Sequence, residues 1–215
     1  MGIVTAIRQQ TRKSDRVNVY VDEVFRLGLT KLLAARLRIG QELSEEQIEH
    51  LLHQQEFEVA YRRAYQFISR RPHTVREIRM KLSRKQVPAQ VIEEVIERLQ
   101  ANKLLDDQSF ARAWIENQQS FRPRGRRALQ MELRKKGVAN EIIEVLLTDF
   151  DDEEAAYRTA EKAYPRYRSL PPEIGEQRLL AYLARRGFND RLCRKVVEAA
   201  IRNALVSADE SEGET

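Results

Sequence analysis

The chain has 215 residues, of which 33% are charged, and a formal net charge of +5 at pH 7. This small basic excess suits a soluble protein with a polyanionic partner. Cys193 is the single cysteine, which excludes an intrachain disulfide and a multi-cysteine metal site. No apolar segment is long enough for a secretory signal or a membrane span, so we expect a cytoplasmic protein that does not contact membranes.

The first 57 residues differ from the rest in their apolar pattern. Three short β-branched runs predict a small antiparallel sheet. The runs are residues 3–7, 17–21 and 24–27. Helices are expected over 30–37 and from Ser44 onward, where Ser44 and Gln47 have the spacing of a capping box. We assign 1–57 to an N-terminal β-hairpin and helix segment that caps the helices after it.

From residue 58 onward, the sequence repeats a three-helix pattern three times. Near the end of each second helix, a leucine is followed two and three positions later by a pair of basic residues. These leucines are Leu82, Leu133 and Leu183. Repetition about every 50 residues is typical of helical modules that stack on their neighbours. We therefore predict a mainly α fold with three tandem three-helix repeats in an elongated, curved array. The predicted repeats are 58–107, 108–150 and 151–206. The acidic segment 207–215 is expected to be disordered.

Helical spacing also predicts which aromatic side chains are buried. Five of them fall on the inward faces of first helices, which favours core packing over base stacking. They are Tyr61, Tyr65, Phe110, Trp114 and Tyr157.

Residues in the turns between helices indicate where helices end and begin. Gly137 suits the left-handed position that ends a helix, and Gln86 stands at the corresponding place in the first repeat. The pairs 106–107 and 151–152 are aspartates that precede helices. We expect them to cap free backbone amides and hold repeats together, rather than to form a catalytic carboxylate pair.

No residue pattern indicates catalysis. His50 and His53 are three positions apart on a predicted helix, but no third metal ligand accompanies them. The glycines do not form a phosphate-binding loop, and no Ser/His/Asp or Cys/His arrangement has a supporting context. We therefore predict a protein that is not an enzyme and that needs no metal or cofactor.

Basic residues concentrate around the second helix of the second repeat. Residues 122–136 contain seven bases and the single acid Glu132. Because Leu129 and Leu133 are predicted to face the core, most of these bases must face solvent. A merely solvated face is one interpretation, and paired bases at the same place in the other repeats favour a contact face for a polyanion. Phe121 is the aromatic side chain that we expect to be available for base stacking. The predicted face comprises Arg84, Lys85, Arg122, Arg124, Arg126, Arg127, Arg134, Lys135, Lys136, Arg185 and Arg186.

Several segments carry a further signal when they are taken together. They are residues 17–29, 40–43, 69–78, 82–87, 104–107, 110–111 and 122–125. This set resembles the RecX family of regulatory proteins. The match extends over 58–206, and the segments 17–29 and 40–43 are similar to the extra N-terminal segment of longer family members. The resemblance implies a bacterial, cytoplasmic, non-enzymatic modulator of the RecA recombinase in recombination and SOS repair. It further implies association with the groove of the RecA filament on single-stranded DNA, with inhibition of filament growth, ATP hydrolysis and strand exchange.

A second interpretation stays open. The chain could be a general nucleic-acid-binding helical protein that acts without RecA. It would then bind single strands tightly, with a salt dependence of roughly −0.7 per neutralised phosphate. Under the first interpretation, single-stranded DNA is contacted weakly or through the filament. In either case we expect a monomer.

Overall fold

The computed structural model describes residues 1–11 and 15–212, and it describes their side chains as far as Asn203. The chain divides into two units, Met1–Leu105 and Asp106–Thr215. The first unit contains the sheet and the first repeat, and the second contains the other two repeats. The prediction of a mainly α fold with a small N-terminal antiparallel sheet is confirmed.

The N-terminal strands form an antiparallel sheet in the order β3-β2-β1-β4. They are β1 (Gly2–Gln9), β2 (Arg16–Val21), β3 (Val24–Thr30) and β4 (Glu42–Leu43). Along β2 the valines Val17, Val19 and Val21 are buried while the residues between them are half-buried, because successive strand residues point to opposite faces. The two-residue strand β4 was not predicted, since so short a segment carries no alternating pattern.

Two helices follow the sheet. The first, α1 (Lys31–Ala34), is a single turn and is shorter than the helix predicted over 30–37. The second, α2 (Glu45–Ile68), starts at the predicted capping box: the Ser44 hydroxyl accepts a hydrogen bond from the Gln47 amide, and the Gln47 side chain accepts one from the Ser44 amide. This 24-residue helix runs through the predicted boundary at residue 57.

The first repeat is completed by α3 (Val75–Ser83) and α4 (Ala89–Ala101). Ile78 and Leu82, one helical turn apart on α3, are fully buried. The prediction for Tyr65 is wrong, because its side chain is 50% exposed. The small residues Ala60 and Ala64 of α2 are fully buried in the core that also contains Val91 and Val95 of α4, and Tyr65 lies outside it.

The second unit contains six α-helices within the described residues. They are α5 (Asp107–Phe121), α6 (Arg126–Lys136), α7 (Asn140–Leu147), α8 (Asp152–Ala163), α9 (Pro172–Arg185) and α10 (Asp190–Glu212), with a 3₁₀ turn at Tyr164–Arg166. Two cores lie inside this unit, one around Leu129 and Leu133 and the other around Leu179 and Leu183. Gly137 ends α6 in the left-handed conformation, as predicted.

Helix α10 continues as far as Glu212, into the segment 207–215 for which disorder was predicted. No glycine or proline interrupts the sequence between Asp190 and Gly213, so nothing in the sequence stops the helix earlier. Residues 213–215 of the predicted tail lie outside the described residues. Within the described part of the chain, no helix is long and apolar enough to cross a membrane.

Candidate functional site

The second and third repeats meet through two glycines. The Gly125 amide donates a hydrogen bond of 3.0 Å to the Arg186 carbonyl, and a Cβ atom on Gly125 would lie 2.7 Å from the Gly187 carbonyl oxygen. Gly187 has φ +88°, and a Cβ atom there would lie 2.8 Å from the Ala128 amide nitrogen. Side chains at these two positions would therefore separate the start of α6 from the end of α9.

A carboxylate provides a second connection between these repeats. Asp152 Oδ1 accepts a hydrogen bond of 2.7 Å from the Arg126 amide at the start of α6. Asp151 caps α8 by accepting from the amides of Glu153 and Glu154. Asp106 similarly caps α5. The prediction that these aspartates cap helices is confirmed for Asp106 and Asp151, and the prediction that they hold repeats together is confirmed for Asp152.

A groove of about 590 Å³ lies where α6 and α9 come together. The exposed bases Arg127 and Lys135 of α6 line it, together with Arg185 of α9. Within the part of the chain that the structure describes, none of these three side chains has a hydrogen-bond or ion-pair partner. Met131, which is 66% exposed, provides an apolar patch in the same groove. We call this site the α6/α9 groove.

One predicted contact base in the groove is partly neutralised. Arg124 Nη1 lies 2.6 Å from Glu132 Oε1, and both side chains are largely shielded from solvent. Glu132 Oε2 also accepts a hydrogen bond of 3.1 Å from Trp114 Nε1. Arg124 and Glu132 thus anchor the groove wall to α5, and little of the Arg124 charge remains for a partner.

Four other predicted contact bases are engaged in holding the fold together. Arg126 Nη2 donates to the carbonyls of Thr148, at 3.2 Å, and Phe150, at 2.9 Å. Lys136 Nζ lies 4.1 Å from the centre of the Trp114 ring. The remaining two bases each donate a hydrogen bond to a neighbouring side chain. They are Arg134, whose Nε donates to Asn140 Oδ1 at 2.8 Å, and Arg186, whose Nη2 donates to Tyr182 Oη at 2.7 Å. Hydrophobic periodicity could not separate these residues from the exposed bases, because it shows which face of a helix a side chain lies on and not which polar groups the side chain reaches.

Arg84 and Lys85 are exposed at the end of α3. They belong to the first unit, whereas the groove belongs to the second. Their predicted role as an extension of the same face stays a prediction.

A second, smaller cationic pocket of about 290 Å³ lies beside the end of α5. Arg122 and Arg186 line it, as do Lys162 and Arg166, which the sequence analysis missed. The last two are four positions apart, across the end of α8 and the 3₁₀ turn. Their spacing of four residues, which places two side chains on the same face of a helix, was the sequence feature that could have indicated a shared basic site. Phe121, at the edge of this pocket, is 76% exposed.

Groups with metal-binding or nucleophilic chemistry are not gathered at either site. Among the described residues, no cluster of three or more His, Cys, Asp or Glu side chains could hold a metal ion. His50 lies beside Gln54, and His53 Nε2 lies 3.2 Å from Glu94 Oε1. Cys193 is buried, and burial raises the pKa of its thiol. A thiol in this state is a poor nucleophile near neutral pH.

Comparison with protein families gives four matches, which together extend over most of the chain. The models are described as the RecX N-terminal domain and the first, second and third three-helix domains of RecX. They match residues 2–44, 60–99, 106–147 and 151–197, respectively.

The chain is similar to curated proteins named regulatory protein RecX. That of Bacillus licheniformis is 30% identical over 194 residues, which cover 88% of this chain and 74% of the relative. That of Clostridium perfringens is 29% identical over 210 residues, which cover 94% of this chain and 98% of the relative. The chain therefore spans most of the length of these relatives.

Two solved structures have a similar fold. A crystal structure of regulatory protein RecX has a TM-score of 0.71 and 25% identity, and the match covers 92% of this chain and 100% of that chain. A crystal structure of RecX from Lactobacillus salivarius has a TM-score of 0.59 and 21% identity, and the match covers 67% of this chain and 96% of that one. The second likeness concerns the fold alone.

Proposed function

Since this chain belongs to the RecX family of regulatory proteins, we propose that it regulates the RecA recombinase. It binds RecA filaments on single-stranded DNA and restrains filament extension, ATP hydrolysis and strand exchange in recombination and SOS repair. The observation that carries the contact site is the α6/α9 groove, in which Arg127, Lys135 and Arg185 from two repeats converge.

The chemistry of the groove suits a surface that carries phosphates and carboxylates. Arg127 and Arg185 each have a planar guanidinium that can donate two parallel hydrogen bonds to either group, while Lys135 supplies a compact charge. Because these charges lack internal partners in the described structure, a ligand need not displace an existing ion pair. Met131 adds an exposed apolar side chain to the groove, and its burial against a protein partner would stabilise the complex. Binding through such a groove is expected to weaken as the salt concentration rises.

The contact face that we propose is smaller than the face predicted from the sequence. Its centre is Arg127, Lys135 and Arg185, with Arg124 at its margin and Arg84 and Lys85 as an additional site on the first unit, whereas Arg122 lines the smaller cationic pocket instead. Arg126, Arg134, Lys136 and Arg186 support the fold around it. A regulator of this kind needs no chemical step, because occupation of the filament is sufficient to obstruct it.

The first experiment is a titration of this protein into RecA that is hydrolysing ATP on single-stranded DNA. We expect inhibition at amounts well below one molecule per RecA subunit, because a protein that blocks filament growth acts on many subunits at once. Unchanged hydrolysis at a stoichiometric excess would contradict the proposal.

A charge-reversal variant then tests the groove. We expect Arg127→Glu, Lys135→Glu and Arg185→Glu in one chain to abolish inhibition. The matched control is Arg112→Glu, Arg178→Glu and Arg191→Glu, which reverses three exposed bases in the same unit outside the groove. Circular dichroism should show both variants to be helical. Equal inhibition by the two variants would remove the groove from the proposal.

The alternative function, general binding of nucleic acid without RecA, is tested in the same preparations. It predicts tight binding to single strands at physiological salt and no saturable effect on RecA hydrolysis. The combination of weak binding and strong inhibition is the result that we expect.

A further inference from the structure

We propose a second binding site in this chain: the cationic pocket beside Phe121 holds the phosphate of a nucleotide, whose base stacks on the Phe121 ring. The nucleotide is either a unit of a single strand or a free nucleotide, since both present the same phosphate and base. We call this site the phosphate pocket. It shares no lining residue with the α6/α9 groove, so the inference goes beyond the proposed function and does not depend on RecA.

Charge is the first argument. Lys162 and Arg166 approach the pocket from α8 and the 3₁₀ turn, and Arg122 and Arg186 approach it from the facing loop and from α9. None of the described residues that line the pocket is acidic. Four cations around a small concave site repel one another and focus a positive potential into it. An anion with several oxygen acceptors relieves this repulsion.

The second argument is that part of the pocket is already fixed. Arg186 donates to Tyr182 Oη at 2.7 Å and to the Pro123 carbonyl at 3.5 Å, and its guanidinium carbon lies 4.8 Å from the centre of the Tyr182 ring. These contacts hold the planar group in one orientation while leaving other N–H donors for a ligand. A donor that is held before binding loses less conformational entropy when the ligand arrives.

The backbone around the pocket is equally constrained. The loop that carries Arg122 is held at Gly125, whose amide donates to the Arg186 carbonyl. It is also held at Arg124, whose carbonyl accepts a hydrogen bond of 2.9 Å from Gln119 Nε2. Thr159, at the pocket wall, is buried, and its hydroxyl is satisfied by the Ala155 carbonyl at 2.7 Å. These contacts hold the backbone on the Arg122 and Arg186 side of the pocket in place before a ligand arrives.

The third argument concerns the aromatic ring. Phe121 is the last residue of α5 and is 76% exposed, although its side chain is entirely apolar. A base stacked on this ring removes apolar surface from water, and every base has a face that can stack. The pocket of about 290 Å³ is at the small end of ligand sites, so it suits a phosphate with its sugar while the base remains outside on Phe121.

The experiment uses the full-length protein without RecA. Fluorescence anisotropy measures binding of a labelled oligothymidylate of about 15 nucleotides, a length within the range of single-strand sites. Calorimetry with thymidine monophosphate and with ATP measures binding of free nucleotides. The pocket variant is Lys162→Gln with Arg166→Gln. Its control is Arg158→Gln with Arg178→Gln, which removes the same charge from exposed bases of α8 and α9 that do not line the pocket.

We expect the pocket variant to weaken binding about tenfold and the control to weaken it less than about twofold, because charges at the contact matter more than distant, screened ones. Phe121→Ala, at an exposed position, should weaken binding several-fold without loss of helical structure. Loss in the oligonucleotide assay alone identifies a strand as the source, and loss in calorimetry identifies free nucleotides.

The inference is overturned if pocket variant and control bind equally, or if the unmodified protein binds neither kind of ligand at low salt. Inhibition of RecA by the pocket variant is measured separately. Retained inhibition leaves the proposed function intact whatever the binding assays show, so the two proposals fail in different measurements.

Discussion

Gly125 and Gly187 lie so close together that a Cβ atom on Gly125 would stand 2.7 Å from the Gly187 carbonyl oxygen. This approach joins the second repeat to the third. The α6/α9 groove and the phosphate pocket both include residues of this junction, which are Gly187 in the groove and Pro123 with Arg186 in the pocket. The segment 122–125, which contributed to the family resemblance, thus has a steric role as well as a charge.

Gly125→Ala is expected to lower the free energy of unfolding by about 1–3 kcal/mol, because the added methyl group meets backbone that cannot move away. Urea denaturation measures the loss. Gly28→Ala is the control, since the nearest atom to a Cβ there is Arg16 Nη2 at 3.4 Å. A loss no greater than that of the control would show that the junction can relax.

Gln86 is expected to be a site of backbone strain in the first repeat. It has φ +59°, in the left-handed region that Gly137 and Gly187 occupy in the later repeats. Gln86→Gly removes a steric penalty of about 1–2 kcal/mol and adds an entropic penalty of about 0.5–1 kcal/mol. We therefore expect a small gain in the free energy of unfolding, measured as a higher urea midpoint with an unchanged m-value. Gly137→Ala should change the midpoint in the opposite direction, and a loss in both variants would contradict this account.

The substitution of glutamine for Arg126 is expected to reduce stability, whereas the same substitution at Arg127 is expected to reduce RecA inhibition. Arg126→Gln removes charged donors from the carbonyls of Thr148 and Phe150, and we expect it to lower the free energy of unfolding by about 1–3 kcal/mol. Arg127→Gln, at the exposed neighbouring position, should change stability by less than about 0.5 kcal/mol and weaken RecA inhibition. Chemical denaturation and the ATPase titration measure the two effects. If Arg127→Gln is the more destabilising, the assignment of the two roles is wrong.

His73 should make stability depend on pH. It is 5% exposed, and burial lowers the pKa of its imidazole, against the opposing effect of the hydrogen bond of 2.8 Å that Nδ1 donates to the Arg71 carbonyl. Because the folded state disfavours the protonated ring, the unfolded chain binds more protons as the pH falls through about 6.5. Stability is therefore fully present above that pH and declines below it, until the folded-state pKa is passed.

The measurement is the urea midpoint at pH 7.5 and at pH 5.5, for the unmodified chain and for His73→Asn. The asparagine can keep an N–H donor near the Arg71 carbonyl but does not titrate. We expect the variant to lose less stability on acidification. An identical loss in both chains would assign the pH dependence to other groups.

Cys193 should be protected from thiol reagents. Its side chain is 1% exposed, and burial is the largest cause of its raised pKa. Because the thiolate is the reactive form, we expect Ellman's reagent to react at least about tenfold more slowly with the native chain than with the chain unfolded in urea. Equal rates would place the thiol at the surface and would contradict the packing of α10 in the core around Leu179 and Leu183.

Much of the fold is predictable from local patterns. The buried faces of α3 and α4 follow the helical period, and Ser44 and the aspartates cap helices as their positions indicate. The errors arise where distant residues decide the outcome. Tyr65 has the right spacing for the core, but Ala60 and Ala64 are the buried residues in this part of α2.

The candidate sites, like the fold, depend partly on local sequence and partly on tertiary contacts. The sequence identifies the bases, yet it cannot show that Arg126 reaches carbonyls more than twenty residues away while Arg127 does not. Lys162 and Arg166 were missed because they lie far along the chain from Arg122, and only the packing of α8 and α9 brings them together. Charge density is a local property, whereas convergence of charge is a tertiary one.

The continuous helix α2 has a consequence for how the chain can be shortened. A truncation at residue 57, where the sequence alone places a domain border, would cut this helix in its middle and leave Ala60 and Ala64 on a fragment that starts without a cap. Gln55, on the removed side, is buried and accepts a hydrogen bond from the Thr30 amide, so the first half of α2 is fixed to the sheet while its second half belongs to the repeat. A usable N-terminal deletion must begin at Ser44, which keeps the capping box and the whole first helix of the repeat.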